Sequence, residues 1–323
     1  MIILKKRIKH LKRIYHTLRL VKKKYRISLS ASRLQPSVVF MCDESSSAGL
    51  ADRLKGLLST FAFAKATGRR FYIHHHRPFE WSHFLAPNEY DWTAKDEEVS
   101  FNLLKVQPVY LGDTGLKSYR GLSKRRKQLH FYNNLDFIDI INRDFHTDYS
   151  FSSLFKELFA AVPILQKEVE KIRDSLGKYI AVNFSFHYLL TGDARYSDGG
   201  GYSTDIQKDI LIKNCISQLN SIHNQYFDSK ILVTSDTQLF IDKVSAFDWV
   251  YTTPGKNGFI FYNRKNESES DIADKVMMNT FLDFLVISHA NKIIMARTGC
   301  MYRSNYVRTA ARIYDKPYEE IQF

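Results

Sequence analysis

Apolar and polar positions along the chain fall into alternating strand-like and helix-like stretches. Short apolar runs at 38–42, 70–74, 109–111, 179–184, 230–234, 249–252 and 292–296 have the length and composition of buried strands. Between many of them, the stretches 50–66, 151–176, 204–223 and 272–288 repeat apolar residues at helical spacing. This alternation predicts an α/β fold with parallel strands. A length of 323 residues with 44% hydrophobic content suits two α/β halves, each about 150 residues long. The expected layout is a basic leading segment at 1–35, a first α/β domain at 36–176 and a second, Rossmann-like domain at 177–323, the two facing a cleft. Ligands of open α/β sheets sit beyond the carboxyl ends of the strands, so the turns at 45–53, 185–202, 235–238 and 297–301 are expected around that cleft.

The opening βαβ pattern is the most informative local feature. Ser45-Ser-Ser-Ala-Gly49 supplies turn residues after the first strand, and Asp52 and Arg53 follow in the first turn of an alanine-rich helix. Unpaired N–H groups and the positive end of the helix dipole suit a sugar-phosphate or an acceptor hydroxyl there. The plainer alternative has Asp52 capping the helix and Arg53 pairing with a nearby carboxylate.

The order Gly49-Leu-Ala-Asp-Arg-Leu54, followed by the helix and by Gly68-Arg-Arg-Phe-Tyr-Ile73, resembles the N-terminal signature of the fucosyltransferase superfamily. That group includes the nodulation-factor, core α1,6- and protein O-fucosyltransferases. A second likeness lies near the C-terminus, in the strand Ile231-Leu-Val-Thr-Ser-Asp236, the helix carrying Asp283-Phe-Leu-Val-Ile-Ser-His-Ala290, and the small-residue turn Thr298-Gly-Cys300. The resemblance implies a GT-B-like glycosyltransferase with a GDP-sugar donor, GDP-fucose above all, inversion at the anomeric carbon and no required metal. It assigns Gly49, Asp52 and His75 to the acceptor side and Arg53 to charge stabilisation. Asn183, Ser185, Asp236, Thr298, Gly299 and Cys300 fall to donor contact, with Cys300 read as a small residue allowing close backbone approach rather than as a nucleophile.

The chain departs from the family at the end of its 179–184 strand. Asn183 and Ser185 stand where the family carries a His-x-Arg pair, whose guanidinium neutralises the leaving diphosphate. Three readings follow: Arg195 takes over the charge, another donor is used, or activity is lost and a nucleotide- or glycan-binding relative remains. His187 is a candidate general base or nucleotide contact; as a plain alternative it is a hydrogen-bonded histidine at a strand end.

Charge changes the picture only when located. Eleven Lys or Arg and no acid fall in the first 26 residues, leaving 36 basic against 34 acidic residues for the body. A nucleic-acid enzyme spreads basic surface over its folded domain, so nucleic acid is not the expected partner. Ile2, Ile3, Leu4, Ile8, Leu11, Ile14, Tyr15, Leu18 and Val21 form an interrupted apolar stripe among those cations, which predicts an amphipathic helix on an anionic membrane surface; a solvated basic arm is the alternative. No run approaches a membrane span or a signal-peptide core. The expected location is therefore cytoplasmic, peripheral on the inner face of the plasma membrane.

Cys42, Cys215 and Cys300, odd in number and far apart, fit a reducing compartment. In His74-His-His76 only the outer two share a face, without a carboxylate to complete a metal site. Gly199-Gly-Gly201 reads as a flexible loop, and Lys124-Arg-Arg-Lys127 as a solvated helix face or a contact for acidic headgroups.

Overall fold

The computed structural model describes residues 15, 18–19, 21–29, 34–41, 48–111, 119–120, 122, 127–187, 189–190, 204–253, 270–299 and 301–323, the side chains of 270–274 excepted. The protein is mixed α/β, and its chain divides into two compact units, Met1–Ala160 and Ala161–Phe323. In the first, β1 (Ser37–Met41), β2 (Arg70–His74), β4 (Val106–Tyr110) and β5 (Gln128–Tyr132) form a sheet of order β2-β1-β5-β4, parallel at every pairing. A short strand β3 (Leu85–Pro87) pairs with β6 (Phe159–Ala161). Helices α1 (Leu50–Ala66), α2 (Ile138–Phe145) and α3 (Phe151–Leu158) complete the unit.

The second unit carries β7 (Tyr179–Phe184), β8 (Lys230–Ser235), β9 (Val250–Thr252), β10 (Lys292–Arg297) and β11 (Tyr318–Gln322) in the order β11-β10-β7-β8-β9, again all parallel. Its helices are α4 (Pro163–Leu176), α5 (Asp205–Gln225), α6 (Gln238–Val244), α7 (Ser270–His289) and α8 (Asn305–Ile313). Val182, Phe184, Ile231, Val233 and Ile294 bury one sheet face against Leu211, Cys215 and Leu219 of α5 and Phe240 and Val244 of α6. Helix α7 packs with α4 and α8.

The expected helix over 151–176 is broken in two. Pro163 is the first residue of α4, and Val162 ahead of it is extended (φ −61°, ψ 151°). Proline has no N–H to continue a helix and biases its predecessor away from helical backbone, so 159–161 takes the strand geometry of β6 instead. Because α4 packs on α7, the second compact unit starts ahead of this helix rather than at 177. Strand β5 was not expected. Lys127 stands exposed directly before it, not on a helix, and residues 123–126 lie outside the described residues.

The leading segment is tied to the first unit through Tyr25. Gln128 Oε1 accepts from His130 Nε2 at 2.8 Å, which leaves His130 Nδ1 to accept from the Tyr25 hydroxyl at 2.8 Å. Tyr132 then donates to the Tyr25 oxygen at 2.9 Å. Gln128 in turn donates to Ser37 Oγ and to the Glu98 carbonyl, both at 2.8 Å. Burial holds His130 neutral, with its pKa pushed down to about 3, and the same burial raises that of Tyr25. Residues 21–24 are helical, while 1–14, most of the expected amphipathic helix, lie outside the described residues.

Helix α1 is buried along almost its whole length, with Phe61 against Phe71 of β2 and Phe63 against Phe131 of β5. Its Gly56 meets the chain leaving β5: a Cβ there would stand 1.9 Å from the Asn133 carbonyl oxygen. Asn133 Nδ2 closes the contact by donating to the Gly56 carbonyl at 3.2 Å. Gly56→Ala is therefore expected to destabilise the protein by about 1–3 kcal/mol through forced backbone displacement, despite alanine's better helix propensity. Urea unfolding of the two proteins checks this; equal or greater stability of the alanine variant would refute the close packing.

Candidate functional site

In the first unit the site begins at the carboxyl end of β1. Gly49 is the N-cap of α1 in extended backbone (φ −76°, ψ 176°) with no side-chain cap, and residues 42–47 before it lie outside the described residues. Asp52 does not cap the helix; its carboxylate pairs with Lys55 Nζ at 2.6 Å. Arg53 is buried at 5% exposure. Its Nε donates to the Ala48 carbonyl at 2.9 Å and its Nη1 to His75 Nε2 at 3.1 Å.

His75 sits just beyond β2, 3% exposed, with its ring stacked on Phe40 and bordered by Phe79 and Trp81. The Phe79 carbonyl takes its Nδ1 hydrogen at 3.1 Å, so Nε2 is the lone-pair nitrogen that receives Arg53. Burial first, and then the Arg53 charge, push its pKa down to about 3. The expected acceptor-side contact thus becomes a buried neutral acceptor that orients Arg53. His74 and His76 share one side, 4.4 Å between ring centroids, and among the described residues no group of three His, Cys, Asp or Glu side chains is placed to hold a metal ion.

In the second unit three of the expected turns converge at the strand ends. Asp236, following β8, accepts from the amides of Phe186 at 2.8 Å and His187 at 2.7 Å, the turn after β7. Ser185 accepts from the Tyr302 amide at 3.0 Å, drawing in the turn after β10. That turn is closed by the Met301 amide donating to the Thr298 carbonyl at 3.1 Å. Gly299 has φ 54°, a left-handed backbone that favours glycine. Arg195, Cys300 and the loop at 199–201 lie outside the described residues.

Asn183 and Ser185 face inward instead of presenting themselves to a donor. Asn183 Nδ2 donates to Thr234 Oγ1 at 3.0 Å, and Ser185 Oγ donates to Asn183 Oδ1 at 3.2 Å; both residues are at most 5% exposed. A neutral network thus joins β7 to β8. His187 is left-handed at φ 54°, a costly state for a side-chain-bearing residue. Its ring lies 5.0 Å from that of Tyr302, and burial lowers its pKa against the opposing pull of Asp236.

The residue not assigned a site role from sequence is Asp283 of α7. It is fully buried, accepts from Thr253 Oγ1 at 2.7 Å, and borders, with Thr234, Ser235 and Gln238, a space about the size of one water at the carboxyl ends of β8 and β9. Its charge, after burial, raises the pKa of Tyr306. The sequence signal was present: an acid amid Phe281-Leu-Asp-Phe-Leu-Val286 sits where an apolar residue is expected.

The two buried histidines set an acid sensitivity. Folded His75 and His130 bind a proton only near pH 3, whereas the unfolded residues do so near 6.5. Below 6.5 the unfolded chain therefore binds more protons, and stability is lost as pH falls toward 3. At pH 5 each costs about 2 kcal/mol relative to pH 7. Urea midpoints at the two pH values, with ring NMR of His75, check this; a flat profile or a His75 titration near 6.5 would contradict it.

No family model matches the sequence, and no curated protein matches it. Solved structures do match. NodZ alpha-1,6-fucosyltransferase, in crystals soaked with GDP-fucose, aligns over 86% of this chain and 92% of its own, with a TM-score of 0.54 and 11% identity. Fucosyltransferase NodZ from Bradyrhizobium gives the same coverage and score. POFUT1 in complex with GDP aligns over 91% of this chain and 99% of its own, with a TM-score of 0.50 and 12% identity. Parallel α/β architecture, strand-end turns and these alignments together establish that the chain has the fold of the fucosyltransferase NodZ and of POFUT1.

Proposed function

We propose that the protein is a glycosyltransferase that transfers a sugar, fucose foremost, from a GDP-linked donor to a glycan acceptor with inversion. The observation that carries the nucleotide assignment is Asp283, a fully buried carboxylate at the carboxyl ends of β8 and β9 that accepts from Thr253. Guanine offers N1–H and an N2 amino hydrogen side by side, a fork that a carboxylate accepts with both oxygens; uracil and cytosine offer no such pair. The NodZ crystals soaked with GDP-fucose and the POFUT1 complex with GDP support this choice.

In this reading the second unit holds the donor, with the turn around Thr298 and Gly299 at its phosphates and Asp236 fixing the backbone of 186–187. The acceptor falls to the first unit, at Gly49 and Asp52. An acceptor hydroxyl attacks opposite the diphosphate, and His187 is assigned as base. Arg53 and Arg195 stabilise the developing charge without a metal. The basic leading segment, residues 1–26, recruits the protein to the anionic cytosolic face of a membrane, where lipid-linked or surface glycans are built. No described helix is long and apolar enough to cross one.

The neutral pair Asn183 and Ser185 favours one second reading, a relative that binds nucleotide without turnover.

Asp283→Asn is expected to weaken GDP binding about 10- to 100-fold, the worth of a charged hydrogen-bond pair, while leaving UDP binding undetectable in both proteins. Calorimetry checks this, and unchanged GDP affinity would remove the guanine assignment. Arg53→Ala is expected to lower turnover at least about 100-fold with GDP affinity held within twofold. Nucleotide binding without turnover in the unaltered protein would instead establish the non-catalytic reading.

A further inference from the structure

The first unit concentrates its exposed apolar side chains in one region. Every large apolar residue exposed among its described residues, Tyr15, Leu18, Ile27, Leu29 and Leu104, lies on the leading segment or on the loop bonded to it. Ile27, Leu29 and Leu104 are respectively 72%, 94% and 45% exposed. They are held together by one buried side chain. Asn102 Oδ1 accepts from the Ser28 amide at 3.2 Å and the Leu104 amide at 3.1 Å, and its Nδ2 donates to the Ser28 carbonyl. Arg26 and Leu103 add backbone bonds across the same junction, at 3.0 Å to Phe101 and 2.9 Å from Leu103 to Arg26. The Tyr25 clamp fixes the adjoining residue to the sheet.

Several cations lie beside this junction. Lys105 and Lys127 precede β4 and β5, and the Gln128 amide donates to the Lys105 carbonyl at 3.3 Å. Arg69 reaches the Lys127 carbonyl at 2.9 Å, which brings cations from the amino ends of β2, β4 and β5 to one rim. Residues 21–29, 100–105 and 127–128 together contain six Lys or Arg and no acid, while Asp96, Glu97 and Glu98 precede the loop. A polyanion alone has no use for the exposed aliphatics, and an apolar protein partner has none for the cations. A bilayer with anionic headgroups uses both.

We propose that Ile27, Leu29 and Leu104 form an insertion edge by which the amino-terminal rim of the first sheet docks on an anionic membrane, with Arg26, Lys105 and Lys127 at the headgroups. This deepens the membrane part of the proposed function and rests on it for the partner. It adds a docking element in which residues 26–29, at the end of the leading segment, are joined to the 100–105 loop of the folded unit.

The test is cosedimentation of the full chain with vesicles of phosphatidylcholine, with and without phosphatidylserine. The protein is compared with an Ile27→Glu/Leu104→Glu variant and with a variant carrying Glu at Lys5, Lys6, Lys9 and Lys12. The first variant, checked for an unchanged melting temperature, is expected to bind serine-containing vesicles at least about tenfold more weakly and to keep its GDP response. Where either glutamate unfolds the chain, Ile27→Ser/Leu104→Ser is used with the same expectation. Full retention of binding by this variant, with loss in the leading-segment variant, would overturn the edge and leave the segment as the anchor. Loss at the edge alone would uphold the proposal and retire the segment. Failure of the unaltered protein to bind any vesicle would overturn both. Light scattering that shows a dimer converted to monomer by the edge substitutions would assign the face to a second copy and overturn the proposal.

Discussion

Parallel strand pairing is the constraint on which the rest of this structure depends. A parallel pair cannot be closed by a hairpin, so each connection must cross over a sheet face, and all the carboxyl ends emerge at one edge. In the first unit that edge gathers Gly49, Arg53 and His75; in the second it gathers Ser185, His187, Asp236, Thr253 and Thr298. The candidate chemistry is thus assembled from residues far apart in sequence. The same rule sends Lys105, Lys127 and Arg69 to the opposite edge of the first sheet, away from those turns.

Strands covered on both faces leave polar side chains within them no water to bond, so each must find a partner inside. His130 does so between Tyr25 and Gln128, and Asn183 between Thr234 and Ser185. The Arg53 guanidinium is buried on the same terms, and His75 can accept from it only as a neutral ring, which the Phe79 carbonyl enforces at the other nitrogen. Acid sensitivity is a consequence of that arrangement. At the end of β7, Asn183 and Ser185 satisfy each other as neutral groups, so no charge is buried there and no charge desolvation is incurred.

Much of the fold was legible because its strongest elements obey one period each. The continuous apolar runs of β2 and β7 and the alanine-rich α1 appear at the residues expected, and the Gly49 turn and Asp236 strand end were found by motif. What escaped has physical causes. β5 reads Gln-Leu-His-Phe-Tyr, and its polar members look exposed until Tyr25 and Ser37 arrive from elsewhere in the chain. The 151–176 stretch keeps a helical apolar period on both sides of Pro163, so periodicity alone ran through the break. His75 looked like a surface ligand because the aromatic cage around it comes from residues up to Trp81 and from β1. Asp283 falls within a recognisable motif, but its partner Thr253 lies thirty residues earlier, and only the fold brings the two together.

The most direct test of the account is the rate at which the purified full chain releases nucleoside diphosphate from GDP-fucose, set against UDP- and CMP-linked sugars under the same conditions. The account predicts release of GDP from GDP-fucose above every other donor, rising further when acceptor glycans are supplied. Absence of release from all donors, or preference for a UDP-linked sugar, would contradict it.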